Sequence, residues 1–171
     1  MRGSTHMAAG AVAGIALATM TNTPPEQALS AIGAAALGSI LPDIDSATSK
    51  LGRRILPVSF LIHILFGHRQ MFHAPLFWTV VAGITLWYAP AYALPITFGY
   101  LGCLLHLFLD SLNPAGIPWL WPYSRRFHIW KFQTGGLVDR LLGISLTVVA
   151  AIYLTTNFAE QATNILHRMG F

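Results

Sequence analysis

Apolar residues along this chain form five long runs, and the connections between the runs are alternately short and long. The runs cover residues 7–20, 27–41, 74–88, 96–109 and 136–153. A helix that crosses a bilayer needs about 17 to 25 mostly apolar residues, so the first two runs are short enough to be tilted or only partly inserted. The pattern predicts an all-α fold, a polytopic integral membrane bundle of about four to five membrane helices.

A further apolar stretch, ILPVSFLIHILF at residues 55–66, has twelve residues. It is too short to cross a bilayer, so we expect an interfacial helix in addition to the membrane helices. In the first run, Gly10 and Gly14 have the GxxxG spacing that lets two helix backbones approach closely. They predict a tightly packed hairpin of the first two helices within a single membrane domain, residues 1–171.

Composition also indicates a membrane protein. Apolar residues make up 54% of the chain and charged residues 9%, with a mean hydropathy of +0.58, whereas a soluble domain is about 25% charged. The net charge of +4 is spread over loops with few aromatic stacking runs. We therefore expect contacts with membrane lipids and no direct nucleic-acid binding. The single cysteine, Cys103, excludes an intramolecular disulfide and a cysteine-based zinc cluster.

Counting membrane crossings places most ionisable residues at one membrane face. If the chain crosses at each of the five runs, the residues that start or end the runs on this face are His6, Asp43, Asp45, His68, His73, His106, Asp110 and Asp139. The same face receives nine of the ten Lys and Arg residues, with Arg168 as the exception. Cytoplasmic loops carry an excess of basic residues. We therefore expect a multi-pass membrane protein whose polar face is cytoplasmic.

Two short motifs on this face combine residue types that bind metal ions. LPDID places Asp43 and Asp45 after a helix, where irregular backbone lets both carboxylates turn towards one cation. The alternative is a helix stop with two solvated aspartates. HLFLD places His106 and Asp110 four residues apart on one helix face, a spacing that suits a shared metal ion or a buried His–Asp hydrogen bond.

A third motif, HRQMFH, supplies two imidazoles and a guanidinium, from His68, His73 and Arg69. Neutral histidine is a common ligand of transition metals, and arginine presents a planar fork that suits phosphate or carboxylate. Taken alone, the motif fits a loop that binds lipid head groups equally well.

Five motifs occur along the chain in a fixed order: T-H-x-x-x-G from Thr5, L-P-D-x-D from Leu41, G-H-R-x-x-x-H from Gly67, H-x-x-x-D from His106 and L-W-P from Leu120. Together they resemble the YdjM-like family of bacterial inner-membrane proteins, described as metal-dependent hydrolases and in some members as LexA-regulated. The resemblance extends over residues 5–123. It implies a membrane hydrolase and, for regulation, a place in the SOS response.

The resemblance and the motifs together predict a site for one or two divalent metal ions that hydrolyses a phosphoester or a lipid-linked substrate by metal-activated water. The imidazole-rich set favours Zn²⁺, with Mn²⁺ or Mg²⁺ as alternatives. The candidate ligands are His6, Asp43, Asp45, His68, His73, His106 and Asp110. Asp45 or Asp139 is the candidate general base, and Arg69 is the candidate clamp for an anionic substrate group.

Two other interpretations of these residues stay open. The first is a non-catalytic membrane protein with a structural metal site or an ion- or proton-handling His/Asp cluster. The second is a metal-free network of hydrogen bonds that ties helix ends together. Transport sites lie near the bilayer midplane, whereas these residues lie at predicted helix ends, which favours chemistry at the membrane surface. The oligomeric state cannot be read from the chain.

Overall fold

A computed structural model describes residues 1–46, 49, 51–66, 70–123 and 125–168, with the backbone alone for residues 65, 66 and 158–168. The described residues form six α-helices: α1 (Gly3–Met20), α2 (Pro25–Gly38), α3 (Leu56–Phe66), α4 (Pro75–Tyr88), α5 (Ala93–Ser111) and α6 (Leu137–Arg168). Short 3₁₀ helices lie at Leu41–Asp45, Gly52–Ile55, Met71–His73 and Pro90–Tyr92. Over the described ranges the one β-type pairing is a bridge between Ile117 and Phe127. The all-α prediction is confirmed.

Three segments of the described chain are long and apolar enough to cross a membrane: Pro25–Asp45, Pro90–Ser111 and Leu137–Asn157. The prediction of a helical membrane protein is therefore confirmed. The other two predicted crossings correspond to α1, which has 18 residues but a polar first turn, and to α4, which is apolar but has 14 residues. Their insertion stays a prediction. The helix α6 extends past the predicted end at residue 153, because the sequence beyond becomes polar yet keeps good helix formers.

Small residues bring α1, α2 and α5 into backbone contact. A Cβ atom added at Gly10 or Gly102 would overlap the carbonyl oxygen of Ala35, and one added at Gly38 would overlap that of Gly99. The buried core beside these contacts contains mostly small or branched apolar side chains: Ile15, Ala18, Ala31, Ile32, Ala35, Phe98 and Ala150. The predicted tight packing of the first two helices is confirmed, and α5 joins them.

The end of α2 leads through Ser39 and Ile40 into the 3₁₀ helix Leu41–Asp45. Pro42 has no N–H group and cannot continue an α-helical ladder, so the chain changes to the tighter 3₁₀ turn. We expected irregular backbone at LPDID; the structure instead has a short regular element there. This element matters for the site, because a 3₁₀ helix turns about 120° per residue and separates the directions of side chains two residues apart.

The predicted interfacial segment forms α3, which has 11 residues. Among the α3 side chains that the structure describes, five large apolar ones are exposed: Leu56, Val58, Phe60, Leu61 and Ile64. An exposed apolar face of this extent fits a helix that contacts lipid. The helix itself is confirmed, and its position in the interface stays a prediction.

Candidate metal centre

Elements distant in the sequence bring ionisable side chains to one end of the helix bundle. They are His6 in the first turns of α1, Asp43 and Asp45 in the 3₁₀ helix after α2, His73 in the 3₁₀ helix before α4, and His106 and Asp110 near the end of α5. The side chain of Asp43 is 19% exposed, and those of the other five are at most 1% exposed. The convergence that we expected from counting crossings is confirmed for these six residues.

Four of the side chains surround one small space. Nε2 of His73 lies 3.9 Å from Oδ1 of Asp43 and 3.8 Å from Oδ2 of Asp110. Nε2 of His106 lies at the same two distances from the same two oxygens. A tetrahedral zinc ion with bonds of about 2.0 to 2.1 Å holds its ligand atoms about 3.4 Å apart. Each of these four separations is about 0.5 Å longer than that, so small inward movements would bring the nitrogen and oxygen of each pair to the separation that one ion requires.

A backbone hydrogen bond determines which nitrogen of His106 faces this space. Nδ1 of His106 lies 2.8 Å from the carbonyl oxygen of Ser39 and donates to it, because a carbonyl can only accept. Nε2 then carries the lone pair, and it is buried with no hydrogen-bond partner among the described residues. Buried polar atoms rarely lack a partner, and a metal ion would satisfy this one.

Asp45 contacts the opposite edge of the His73 ring. Its Oδ2 lies 3.2 Å from Nδ1 of His73, while Nε2 of the same ring faces Asp43 and Asp110. The 3₁₀ geometry separates the directions of Asp43 and Asp45, so one carboxylate lines the central space and the other lies behind the imidazole. A carboxylate behind a metal-binding histidine fixes the orientation of the ring and the nitrogen that carries the proton.

The carboxylate of Asp110 joins α5 to the start of α1. Its Oδ1 accepts a hydrogen bond from the α-amino group of Met1 at 2.6 Å and lies 3.1 Å from Nε2 of His6. Its Oδ2 faces His73 and His106. The ring of His6 stacks on that of His106 with centroids 3.9 Å apart. His6 therefore supports two members of the centre at once.

Two sets of ligand atoms lie close enough together to hold a metal ion: those of His6, His106 and Asp110, and those of Asp43, His73 and His106. Within each set the atoms are within 4.8 Å of one another. Both sets include His106, whose Nδ1 is already bonded to the Ser39 carbonyl. One remaining nitrogen cannot serve two separate ions, so the two sets belong to a single centre.

Three predicted residues lie outside this cluster or outside the described residues. His68 and Arg69 lie outside the described residues, so their roles as ligand and clamp stay predictions. Asp139 is buried near the start of α6, where its Oδ2 accepts hydrogen bonds from the backbone N–H groups of Arg2 and Gly135, at 3.0 and 2.7 Å. It ties α1 to α6 at the same end of the bundle, and its role as a general base also stays a prediction.

Ser39 was not among the predicted site residues. It acts through its backbone carbonyl, which every residue has, so residue type carried no information. The one available signal was its place, four residues before the first aspartate of LPDID and at the end of a helix rich in alanine and glycine.

Fold and site together define a helical membrane protein with buried histidine and aspartate side chains that can hold a metal ion. The sequence profile of the family described as YdjM inner membrane protein matches residues 1–167, and the chain belongs to this family of inner-membrane proteins. This confirms the family inferred from the five motifs and the membrane location that it implied.

Two curated relatives named Inner membrane protein YdjM, from Escherichia coli (strain K12) and Shigella flexneri, are each 37% identical to this chain over 126 residues. Those alignments cover 68% of this chain and 63% of each relative. The chain thus matches less than two thirds of the length of these relatives. Uncharacterized protein YvsG from Bacillus subtilis (strain 168) is 30% identical over 154 residues, which is 90% of this chain and 94% of that protein. No solved structure matches the chain.

Proposed function

We propose that this protein is a metal-dependent hydrolase at the cytoplasmic surface of the membrane, acting on a phosphoester or lipid-linked substrate with water. The observation that carries the proposal is the convergence of two imidazole nitrogens and two carboxylate oxygens at 3.8 to 3.9 Å around one space. Neutral imidazole and carboxylate are the ligand types that catalytic zinc and manganese sites use.

The residues fit a single divalent ion. Asp43, His73, His106 and Asp110 would hold it, and the buried Nε2 of His106, which has no hydrogen-bond partner in the described part of the chain, supports the inclusion of His106. A divalent ion held there supplies a Lewis acid that activates water and polarises a phosphoryl oxygen. Zn²⁺ suits the imidazole content, and Mn²⁺ or Mg²⁺ would suit a site with more oxygen ligands.

The remaining members of the cluster orient these four. Asp45, at 3.2 Å from Nδ1 of His73, keeps Nε2 of that ring turned to the centre. His6 holds Oδ1 of Asp110 and stacks on His106. In this proposal Asp45 and His6, which were predicted as ligands, have positioning roles. Asp45 contacts Nδ1 of His73, and His6 contacts Oδ1 of Asp110 rather than the Oδ2 that faces His73 and His106.

The cytoplasmic orientation is supported by the distribution of basic residues. The connections from α2 to α4 and from α5 to α6 lead to or from the site, and they contain seven of the ten Lys and Arg residues: Lys50, Arg53, Arg54, Arg69, Arg125, Arg126 and Lys131. Excess Lys and Arg in short loops marks the cytoplasmic side. A cysteine introduced at Lys50 should therefore be inaccessible to a membrane-impermeant thiol reagent added to intact cells.

A structural metal site is the second candidate function. Four protein ligands complete the coordination of a tetrahedral zinc ion, as structural sites do, whereas catalytic zinc keeps one position open. The partial exposure of Asp43 favours the enzyme, because a closed structural site does not require one ligand to face solvent.

Metal analysis and activity of the purified protein test the proposal. We expect about one divalent ion per chain in the wild type and in His128→Ala, whose side chain is exposed. In His106→Ala we expect metal affinity to fall by more than about 100-fold, since a ligand matters more than its supporting residues. Turnover of phosphomonoesters, phosphodiesters or lipid phosphates that disappears in His106→Ala and persists in His128→Ala supports the hydrolase. A bound metal without turnover of any such substrate supports the structural site instead.

A further inference from the structure

A cavity of about 230 Å³ lies beside the candidate metal centre. Its walls come from the start of α1, from the 3₁₀ helix Leu41–Asp45 with Ile40 just before it, and from the 3₁₀ helix Gly52–Ile55 with Leu51 just before it. The lining residues are Gly3, Ser4, Met7, Ile40, Asp43, Leu51 and Arg54. The cavity therefore shares Asp43 with the centre and has Arg54 in its wall.

Asp43 connects this cavity to the centre. The side chains of His73, His106 and Asp110 are at most 1% exposed, so they offer no surface to a molecule from outside. Asp43 alone among the four proposed ligands is partly exposed, at 19%, and it lines the cavity. A ligand that binds in the cavity would lie against the accessible side of the centre.

The lining has the chemistry of a site for an anion attached to an apolar group. Arg54 offers a permanently charged, planar fork that can bind two oxygens of a phosphate at once. Ser4 adds a hydroxyl group, and the remaining wall contains the apolar side chains of Met7, Ile40 and Leu51. The volume is below the 300 to 1,000 Å³, roughly, of pockets that enclose drug-sized molecules. It suits a head group and the first few carbon atoms rather than a whole lipid.

We propose that this cavity binds the phosphate group of an amphiphilic phosphoester, with Arg54 as the residue that recognises the phosphate and with Met7, Ile40 and Leu51 contacting the apolar part. The inference rests on the proposed hydrolase function, because it assigns the substrate cavity of that same site. It gives Arg54 a role in substrate recognition that does not depend on the predicted clamp Arg69.

Two arginine variants test whether the positive charge of Arg54 is needed for phosphate binding. Arg53 and Arg54 are neighbours in one 3₁₀ helix, and only Arg54 lines the cavity as described. Calorimetry would measure the binding of dihexanoyl phosphatidate and of inorganic phosphate to the purified protein in neutral detergent. We expect Arg54→Gln to weaken the binding of both probes by about tenfold or more, since a charge-assisted pair is lost, and Arg53→Gln to bind as the wild type does. Equal losses in both variants, or none in Arg54→Gln, would overturn the proposal.

Filling the cavity tests its apolar wall. A side chain at Gly3 has open space, since a Cβ atom there meets no other atom within 4 Å, and Gly33 in α2 is equally open but does not line this cavity. We expect Gly3→Leu to weaken phosphatidate binding by about tenfold, as a blocked hydrophobic pocket does, and to affect the smaller inorganic phosphate less. Gly33→Leu should bind both probes like the wild type. Unchanged phosphatidate binding in Gly3→Leu contradicts the assignment.

Both titrations are run with and without Zn²⁺ or Mn²⁺, and metal content is measured for every variant. We expect Arg54→Gln to retain the metal content of the wild type. If no form of the protein binds metal, the hydrolase proposal fails. The ratio of wild-type to Arg54→Gln affinity for the two probes, measured in the metal-free protein, then still shows whether the cavity binds phosphate through Arg54. If metal binds and that ratio is near one, the cavity assignment fails and the metal centre stands.

Discussion

Helices α5 and α6 contain candidate membrane segments of similar length and hydropathy but have different surroundings. Their candidate membrane segments, Pro90–Ser111 and Leu137–Asn157, contain 22 and 21 residues and have hydropathies of 1.6 and 1.8. Within an 18-residue window of each segment, 33% of the residues are buried in the first and 11% in the second. Helix α5 carries two members of the candidate metal centre, whereas the buried carboxylate of α6, Asp139, binds backbone N–H groups.

The difference arises from side-chain size and not from hydropathy. Gly99 and Gly102 allow α5 to meet α2 at backbone contact, and this contact brings His106 to the Ser39 carbonyl. The outer face of α6 instead presents large exposed apolar side chains such as Ile144 and Ile152. Lipid and protein interior are similarly apolar, so hydropathy cannot distinguish a helix that packs from one that faces lipid, whereas small residues can.

The largest expected effect comes from breaking the backbone contact of α5. A Cβ atom at Gly102 would overlap the backbone of Ala35, and neither backbone can move away cheaply. Overpacking alone costs about 1 to 3 kcal/mol, and a clash between two backbones exceeds that, so we expect Gly102→Leu to give no folded protein. Gly83→Leu in α4, where a Cβ atom has open space, should elute and unfold as the wild type does. If the two variants behave alike in gel filtration and thermal unfolding, the close backbone contact of α5 is not what distinguishes it from helices that face lipid.

The next largest effect is expected when a large apolar side chain is replaced by alanine, once in α5 and once in α6. Leu107 in α5 is fully buried, and Ile152 in α6 is 59% exposed. Leu107→Ala leaves a cavity and should lower the free energy of unfolding by about 3 kcal/mol. Ile152→Ala should lower it by less than about 0.5 kcal/mol, as expected for an exposed position. Reversible unfolding in mixed micelles would measure both, and similar losses would show that α6 is packed as tightly as α5.

The helices were predictable because long apolar runs define them, and the described ends of α1, α2, α4 and α5 lie within a few residues of those runs. The meeting of His6, His106 and Asp110 was also predictable, since alternate crossings return the chain to one face. The exact bounds of α6 were not, because helix formation continues where the apolar pattern ends.

The division of roles within the site could not be predicted from the chain. The motif LPDID does not distinguish the role of Asp43 from that of Asp45. The 3₁₀ backbone places Asp43 at the central space and Asp45 behind His73. The Ser39 carbonyl became a partner of His106 through the packing of α2 on α5, which involves residues far apart in sequence. Residue types mark where chemistry occurs, and tertiary contacts decide which atom takes part.

The third prediction compares two buried aspartates at the same end of the bundle. Asp45 supports His73 in the centre, and Asp139 supports the joint between α1 and α6. Removing the charge behind a metal-binding histidine typically costs 10-fold to 100-fold in metal affinity, so we expect a loss in about that range for Asp45→Asn. Metal affinity in Asp139→Asn should equal that of the wild type. Competition with a chromophoric chelator measures both, and equal affinities in the two variants would remove Asp45 from the site.

The smallest expected effect concerns the joint itself. Oδ2 of Asp139 accepts from the N–H groups of Arg2 and Gly135, and Gly135 has a positive φ of 76°, which glycine adopts without strain. Asp139→Ala removes the acceptor of two hydrogen bonds, so the free energy of unfolding should fall by about 2 kcal/mol, since the net value of one such bond is about 1 kcal/mol. Asp139→Asn keeps one oxygen and should recover part of the loss, with metal content unchanged in both variants. If Asp139→Ala loses metal as well, the joint and the centre are coupled, and α6 contributes more to the site than its exposed surface indicates.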